Sequence, residues 1–349
     1  MAWVEKTKTG YRLCDRIKID GKIKRVTVPL EKDTAQARRK ATEALLEKAR
    51  QNSTPSCEKS LNSLVELYLK KKNCKETSRD TDRHRLKKAL EVLNGIPIDA
   101  KAINRAFMES DKKPRTLNAY IEVLRAMLRW CYRYGYIEED IAPQIYKLAD
   151  NDPRVPADQK YLEPGELKNV LSQMSGMYLY VCRFLVLTGC RIGEAAALTW
   201  DDISDGYVHI TKTESKYGVT TPKTETSTRD IFIQDELADL LKEYKEWRLL
   251  YMMSLGIRTE RLFFTQSGER VLSKLLGRYL SHIECPKHLH PHIFRHTHTA
   301  LLAEQGMSLE AIGRRLGHSN SQITKEVYFH VTEKIKKRDE EAIRKVRIL

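Results

Sequence analysis

Thr188-Gly189-Cys190-Arg191-Ile192-Gly193-Glu194-Ala195-Ala196-Ala197-Leu198-Thr199-Trp200 is the stretch from which the rest of the chain is read. An apolar helix ends at Gly189, and Arg191 then opens a helix of small residues. A helix start offers free amides and positive potential, both suited to an anion. Taken alone, the stretch is read more simply as a surface arginine at a helix start.

Three later stretches bear on that choice. Pro222-Lys223-Thr224-Glu225-Thr226-Ser227-Thr228-Arg229 lies between two strand-like runs, which predicts a β-hairpin carrying Lys223. A lysine there is ordinarily solvated, and Lys212 and Lys216 on the same element compete for any special role. In His290-Pro291-His292-Ile293-Phe294-Arg295-His296-Thr297, His292 and Arg295 share one face of a helix starting after Pro291. Cys285, His288, His290 and His292 invite a zinc reading, but their spacing matches no common zinc module. In Leu316-Gly317-His318-Ser319-Asn320-Ser321, Gly317 reads as a helix C-cap. Tyr328, within Val327-Tyr328-Phe329, taken alone reads as core filling.

Composition narrows the classes. The 349 residues are 41% hydrophobic and 31% charged, enough for packed cores and suggesting two to three domains. Lys and Arg number 62 against 47 Asp and Glu, a net charge of +15 that favours a polyanionic partner, nucleic acid first. No run of 18 apolar residues predicts a transmembrane helix, and the N-terminus lacks the apolar core of a signal peptide. Seven cysteines without a CxxC pair fit free thiols in a reducing cytosol. No P-loop, GxGxxG or EF-hand loop is present, so the expected chemistry uses no ATP.

The charge is uneven. Residues 1–55 hold 14 Lys and Arg against 7 Asp and Glu, nearly half the excess in a sixth of the chain. Apolar and basic residues alternate there with strand period, Gly10 and Gly21 mark turns, and Thr34 can N-cap a helix to about Arg50. Such a ribbon can contact DNA in a groove, or be an edge sheet with solvated lysines. After the polar linker 51–56, residues 61–152 read as a bundle of four or five helices, with helices near 79–93 and 116–134. Lys70-Lys71-Lys72 and Lys112-Lys113 are either solvated ends or phosphate contacts. A second break, Asn151-Asp152-Pro153-Arg154-Val155-Pro156, precedes a longer mixed domain. That domain has helices near 164–175 and 177–188, strands at 207–212 and 229–233, then mostly helix. The expected domains are therefore 1–54, 58–152 and 157–349. The expected class is α+β, mostly α: a small three-stranded sheet plus helix, a helical bundle, and a mainly helical domain with a small β-sheet.

Arg191, Lys223, His292 with Arg295, Gly317-His318 and Tyr328, in that order within about 140 residues, resemble the tyrosine site-specific recombinases of the phage integrase family. TGxRxGE, HxxRHT and LGH with a tyrosine ten residues later carry the resemblance, which spans 160–335 and extends more loosely upstream. The basic N-terminal module is similar to the arm-site-binding domain of integrases from temperate phages and integrative conjugative elements, and the bundle to their core-binding, SAM-like domain.

The resemblance implies a site-specific recombinase that integrates a phage or mobile element, and excises it with a helper, through a covalent 3′-phosphotyrosyl intermediate. It implies Arg191 and Arg295 as phosphate clamps and His318 as a further hydrogen-bond donor. His292 would be the general base or proton relay, Lys223 the general acid with Lys212 as rival, and Tyr328 the nucleophile. Glu194 would support Arg191. No cofactor and no metal are expected. The implied partners are double-stranded DNA at core and arm attachment sites, a homotetramer on synapsed DNA, an excisionase and a host DNA-bending protein, with no membrane. The implied location is the bacterial host cytosol, near the nucleoid. The charged tail from Thr332 to Leu349 would dock on a neighbouring protomer. Other readings are a resolvase or invertase of the same chemistry, a type IB topoisomerase, and a DNA-binding regulator on a decayed recombinase scaffold.

Overall fold

The computed structural model describes residues 3–7, 10–19, 22–30, 32–51, 60–221, 225–317 and 322–347. The chain forms two compact units, Met1–Asp152 and Pro153–Leu349.

The first unit opens with strands β1 (Trp3–Thr7), β2 (Gly10–Ile19) and β3 (Lys22–Leu30), an antiparallel meander in that order. Val4 pairs with Leu13 and Leu13 with Val28, which puts apolar side chains on one face. Helix α1 (Ala35–Gln51) covers that face, burying Leu13, Val26, Leu30 and Ala41. The Thr34 hydroxyl accepts from the Ala37 amide at 3.2 Å, the expected N-cap. Arg12 and Arg25 remain exposed. The Arg25 guanidinium pairs with Glu5 and lies 5.7 Å over the Trp3 ring.

Helices α2 (Leu61–Lys71), α3 (Glu76–Leu93), α4 (Ala100–Met108) and α5 (Pro114–Arg133) follow. Their apolar stripes meet in one core around Leu64, Leu86, Ile103, Phe107, Leu124 and Leu128. The α3 and α5 starts lie two to three residues before the sequence-based positions. Glu76 suits the first turn of α3, where it pairs with Arg79, and Pro114 suits the first turn of α5. Ser60 and Asp99 cap α2 and α4 through their side chains. The Asn104 and Asn118 amides hydrogen-bond the backbone at Gln144, Tyr146 and Leu148 and so fix the segment leaving the bundle. Lys71 and Lys72 are engaged by the Tyr136 hydroxyl and by Asp82, whereas Lys70 and Lys112 are exposed.

The second unit begins with α6 (Pro164–Ser172), α7 (Gly176–Thr188) and α8 (Ile192–Ala197). Strands β4 (Ile203–Ser204), β5 (Tyr207–Ile210) and β8 (Arg229–Phe232) form an antiparallel sheet, and β6 (Thr213–Ser215) pairs with β7 (Gly218–Thr220) in a separate hairpin between them. The expected single extended hairpin is thus two ladders. Glu214 in β6 is buried, and Arg261 and Arg270 neutralise it. Helices α9 (Asp235–Leu255), α10 (Ser273–Leu280), α11 (Pro291–Glu304), α12 (Leu309–Leu316) and α13 (Gln322–Arg344) complete the unit.

Helix α7 is apolar nearly all round, because α9 and α11 both pack on it. Its Val181 and Leu185 join Ile293 and Phe294 of α11, Val208 and Ile231 of the sheet, and Tyr244 of α9 in the main core. A smaller core holds Tyr161, Ala300, Ala303, Ile312, Leu316, Val327 and Val331 between α11, α12 and α13. No described helix is long and apolar enough to cross a membrane.

Candidate active site

Helix α7 stops at Gly189, which takes the left-handed conformation at φ +66°. A Cβ there would lie 2.4 Å from the His298 ring and 2.6 Å from Leu316, so only glycine fits. Two residues later Arg191 caps α8. Glu194, the third residue of α8, accepts from the Arg191 amide at 2.8 Å and from its guanidinium at 2.7 Å. Glu194 also receives Arg229 at 2.9 Å. Burial alone would raise the Glu194 carboxyl, but Arg229 and Arg191 hold it below its ordinary value, so it stays ionised. About a third of the Arg191 side chain remains open to solvent, whereas Glu194 is buried. The geometry leaves Arg191 free to reach an anion and assigns Glu194 to holding it.

Arg295 comes from α11 and is buried. Its guanidinium donates to the carbonyls of Gly189 and Leu316, joining the ends of α7 and α12. Burial, then repulsion from Arg191, pushes Arg295 down to about 9. It therefore stays charged at neutral pH and gains from an incoming anion. His292, one turn earlier at the exposed start of α11, lies in the same field. Crowding by protein, then Arg295 and Arg191, push its imidazole below the ordinary histidine value, with Glu194 opposing. His292 is thus neutral at pH 7 and able to accept a proton.

Sequence reasoning passed over three further residues that tie this region together. The Nδ1–H of buried His298 donates to the Val186 carbonyl at 2.6 Å, and its Nε2 accepts from Arg315 at 3.2 Å. Arg315 also donates to the carbonyls of Leu187 and Phe232 and to Gln234. Arg229 bridges Glu194 and the carbonyls of Ser227 and Arg315. The available signals were an arginine opening the strand Arg229-Asp230-Ile231-Phe232 and a histidine inside the apolar stretch Thr297–Leu302.

His298 has a consequence for stability. Burial, then Arg315, lower its folded value to about 3. An unfolded histidine titrates near about 6.5. The unfolded chain therefore binds the extra proton first, and stability present above pH 6.5 is lost as pH falls toward 3. The expected slope approaches about 1.4 kcal/mol per pH unit. Urea midpoints taken from pH 7.5 to 5 should fall, and His298→Gln should flatten that fall. An equal fall in both proteins would show that another group is responsible.

Tyr328 lies on α13, half-buried against the smaller core. Among the described residues, no hydrogen bond engages its phenol oxygen. Helix α13 packs on α11 and is tied to the start of the unit by Lys160–Glu326 and Lys334–Glu163 ion pairs. Lys223 and His318 lie outside the described residues. The rival Lys212 is committed to Asp202 at 2.8 Å, and the Lys216 ammonium lies 4.8 Å from the Tyr217 ring. The zinc reading gains no geometry: among the described residues, no group of three or more His, Cys, Asp or Glu is arranged to hold a metal.

The structure therefore gathers Arg191, His292 and Arg295 around Glu194 and places Tyr328 on a helix packed against α11. Fixed cations with a neutral imidazole beside them suit an anionic phosphodiester.

Residues 160–334 match the model of the phage integrase family. A Lactococcus lactis protein named prophage ps2 probable integrase is 26% identical, over 96% of this chain and 97% of its own. The ICEBs1 integrase of Bacillus subtilis is 33% identical, over 52% of this chain and 54% of its own. Among solved structures, the Tn1549 transposon integrase in complex with transposon right end DNA superposes with a TM-score of 0.60 at 23% identity. It covers 80% of this chain and 99% of its own. A lambda integrase tetramer bound to a Holliday junction gives 0.57 at 20% identity, over 93% and 94%. These two share the fold.

Proposed function

The chain belongs to the phage integrase family, and from that membership and the site geometry we infer the role of each residue in its reaction. It is a site-specific tyrosine recombinase of the kind that integrates mobile elements. The observation that carries the assignment of roles is that Arg295 holds the Gly189 carbonyl, two residues before Arg191, with His292 one turn earlier on the same helix as Arg295.

Arg191 and Arg295 clamp the non-bridging oxygens of one DNA phosphate and offset its charge. The Tyr328 phenol attacks phosphorus and gives its proton to His292. The bond from phosphorus to the 5′-oxygen breaks, and Lys223 protonates that oxygen as it leaves. His318 donates to a non-bridging oxygen in the crowded transition state. The products are a 3′-phosphotyrosyl link and a free 5′-hydroxyl. A 5′-hydroxyl from another strand then attacks the same phosphorus, giving its proton to Lys223, and expels Tyr328, which takes its proton back from His292. Each step exchanges one phosphate ester for another, so no ATP is consumed.

Residues 1–54 serve as an arm-site DNA-binding domain, 58–152 as a core-binding domain, and 157–349 as the catalytic domain. The partner is double-stranded DNA at core and arm sites, bound by a homotetramer at synapsis. An excisionase and a host DNA-bending protein complete the excisive reaction, in the host cytosol. The uneven positive charge supports the DNA reading. With six to ten phosphate contacts, affinity should fall about 10³- to 10⁵-fold between roughly 50 and 200 mM salt. A filter-binding titration that stays flat over that range would contradict it.

The direct test is a nicked suicide duplex cut from the element's own junction. A covalent adduct on a denaturing gel supports the reading, and tight binding without an adduct overturns it. The general acid has its own test. Lys223→Ala should slow cleavage of an ordinary 5′-oxygen, and a 5′-bridging sulfur, a better leaving group, should restore most of the rate. Failure of sulfur to rescue would move the acid to another lysine.

A further inference from the structure

Arg229 is a buried guanidinium to which the reaction above assigns no part. Only 6% of its side chain is exposed. Its three nitrogens point to three different elements. Nη2 donates to Glu194 at 2.9 Å, and Glu194 in turn holds Arg191. Nη1 donates to the Ser227 carbonyl at 2.9 Å, four residues after Lys223. Nε donates to the Arg315 carbonyl at 2.7 Å, at the end of α12, three residues before His318. Gly317, at φ +70°, packs directly on it: a Cβ there would lie 2.8 Å from Arg229 Cδ and 3.0 Å from the Thr226 carbonyl.

We propose that Arg229 is a positioning residue for DNA cleavage, a single guanidinium that sets the register between the segments bearing Arg191, Lys223 and His318. The proposal rests on the roles assigned to those three residues above. Among the described residues all three nitrogens of Arg229 are engaged by protein, against two of Arg295, so Arg229 is given no contact with the phosphate. It acts through the groups that are. A rigid planar fork is needed, because three acceptors in three directions cannot be met by the compact ammonium of a lysine. A chain that needed only a counter-charge for Glu194 already has Arg191.

The test compares wild type and Arg229→Lys in single-turnover cleavage of a nicked duplex, with oxygen or sulfur at the 5′-bridging position. DNA affinity and thermal midpoint are measured alongside. Arg229→Lys should bind DNA within a few-fold of wild type and cleave the oxygen substrate about a hundredfold more slowly, the scale expected of a small misplacement. Sulfur should narrow that gap, because a misplaced Lys223 no longer matters with a good leaving group. In a Lys223→Ala background, Arg229→Lys should cost much less than it does alone.

Gly317→Ala approaches from the other side and serves if Arg229→Lys does not fold. It pushes on Arg229 and the Thr226 carbonyl, so sulfur should rescue it too, which damage confined to His318 would not allow. Cleavage by Arg229→Lys at the wild-type rate overturns the proposal. So does a loss that is equal for both leaving groups and fully multiplicative with Lys223→Ala. A wild type that forms no adduct removes the assigned roles themselves, and this proposal with them.

Discussion

Tyr328→Phe should bind its DNA as wild type does and form no covalent adduct. The substitution removes one oxygen from a half-buried ring that makes no described hydrogen bond through its hydroxyl, so folding loses little. Val327 and Val331, the buried neighbours that seat α13, are untouched. The bond that the reaction must form is gone altogether. A nicked suicide duplex from the element's junction gives the readout, with wild type and variant run side by side on a denaturing gel. An adduct with both proteins would keep the reaction class but move the nucleophile to another residue. Similar retention of both proteins on a native gel guards against a trivial loss of binding.

The second large effect separates two arginines for which the same chemical part is proposed. Arg191→Ala and Arg295→Ala should each slow cleavage by at least about 10²- to 10³-fold, the scale for losing one preorganised donor to a developing oxyanion. Their effects on stability should differ. Removing Arg191 leaves Glu194 still paired with Arg229, so no buried charge is stranded. Removing Arg295 orphans the carbonyls of Gly189 and Leu316 in a closed interior, at about 1–3 kcal/mol for each buried group left unpaired. Urea unfolding should therefore report a clear loss for Arg295→Ala and little for Arg191→Ala, while both fail in the cleavage assay. Equal stabilities would mean that Arg295 is not the brace between α7 and α12. Near-normal cleavage by either variant would remove that residue from the clamp.

The contrast reflects what a sequence can reveal. Arg191 announces itself because Gly189 ends one helix and Arg191 caps the next, with Glu194 three residues on in its first turn. His292 and Arg295 are legible because Pro291 fixes where α11 begins and three residues make nearly one turn. The three-stranded start was legible from alternation and from the Thr34 cap. Arg229, Arg315 and His298 were not. Their partners lie far away in sequence, as with the His298 ring on the Val186 carbonyl, and no local period encodes such a meeting. The split of the expected hairpin into β5–β8 and β6–β7 escaped for the same reason: buried Glu214, held by Arg261 and Arg270, decides where β6 lies.

Helix α13 has a mechanical meaning as well. It runs unbroken from Gln322 to Arg344, with Tyr328 near its first turns and the last turns wholly exposed. At about 1.5 Å per residue, some 24 Å of stiff rod separate the phenol-bearing residue from the free end. Val327 and Val331, with the Lys160–Glu326 and Lys334–Glu163 ties, form the fulcrum close to Tyr328. Force applied to the far end acts with the long arm of a lever, and the short arm carries Tyr328, the proposed nucleophile. A hand on the last two turns could thus tilt the tyrosine by small, geared-down steps without touching it.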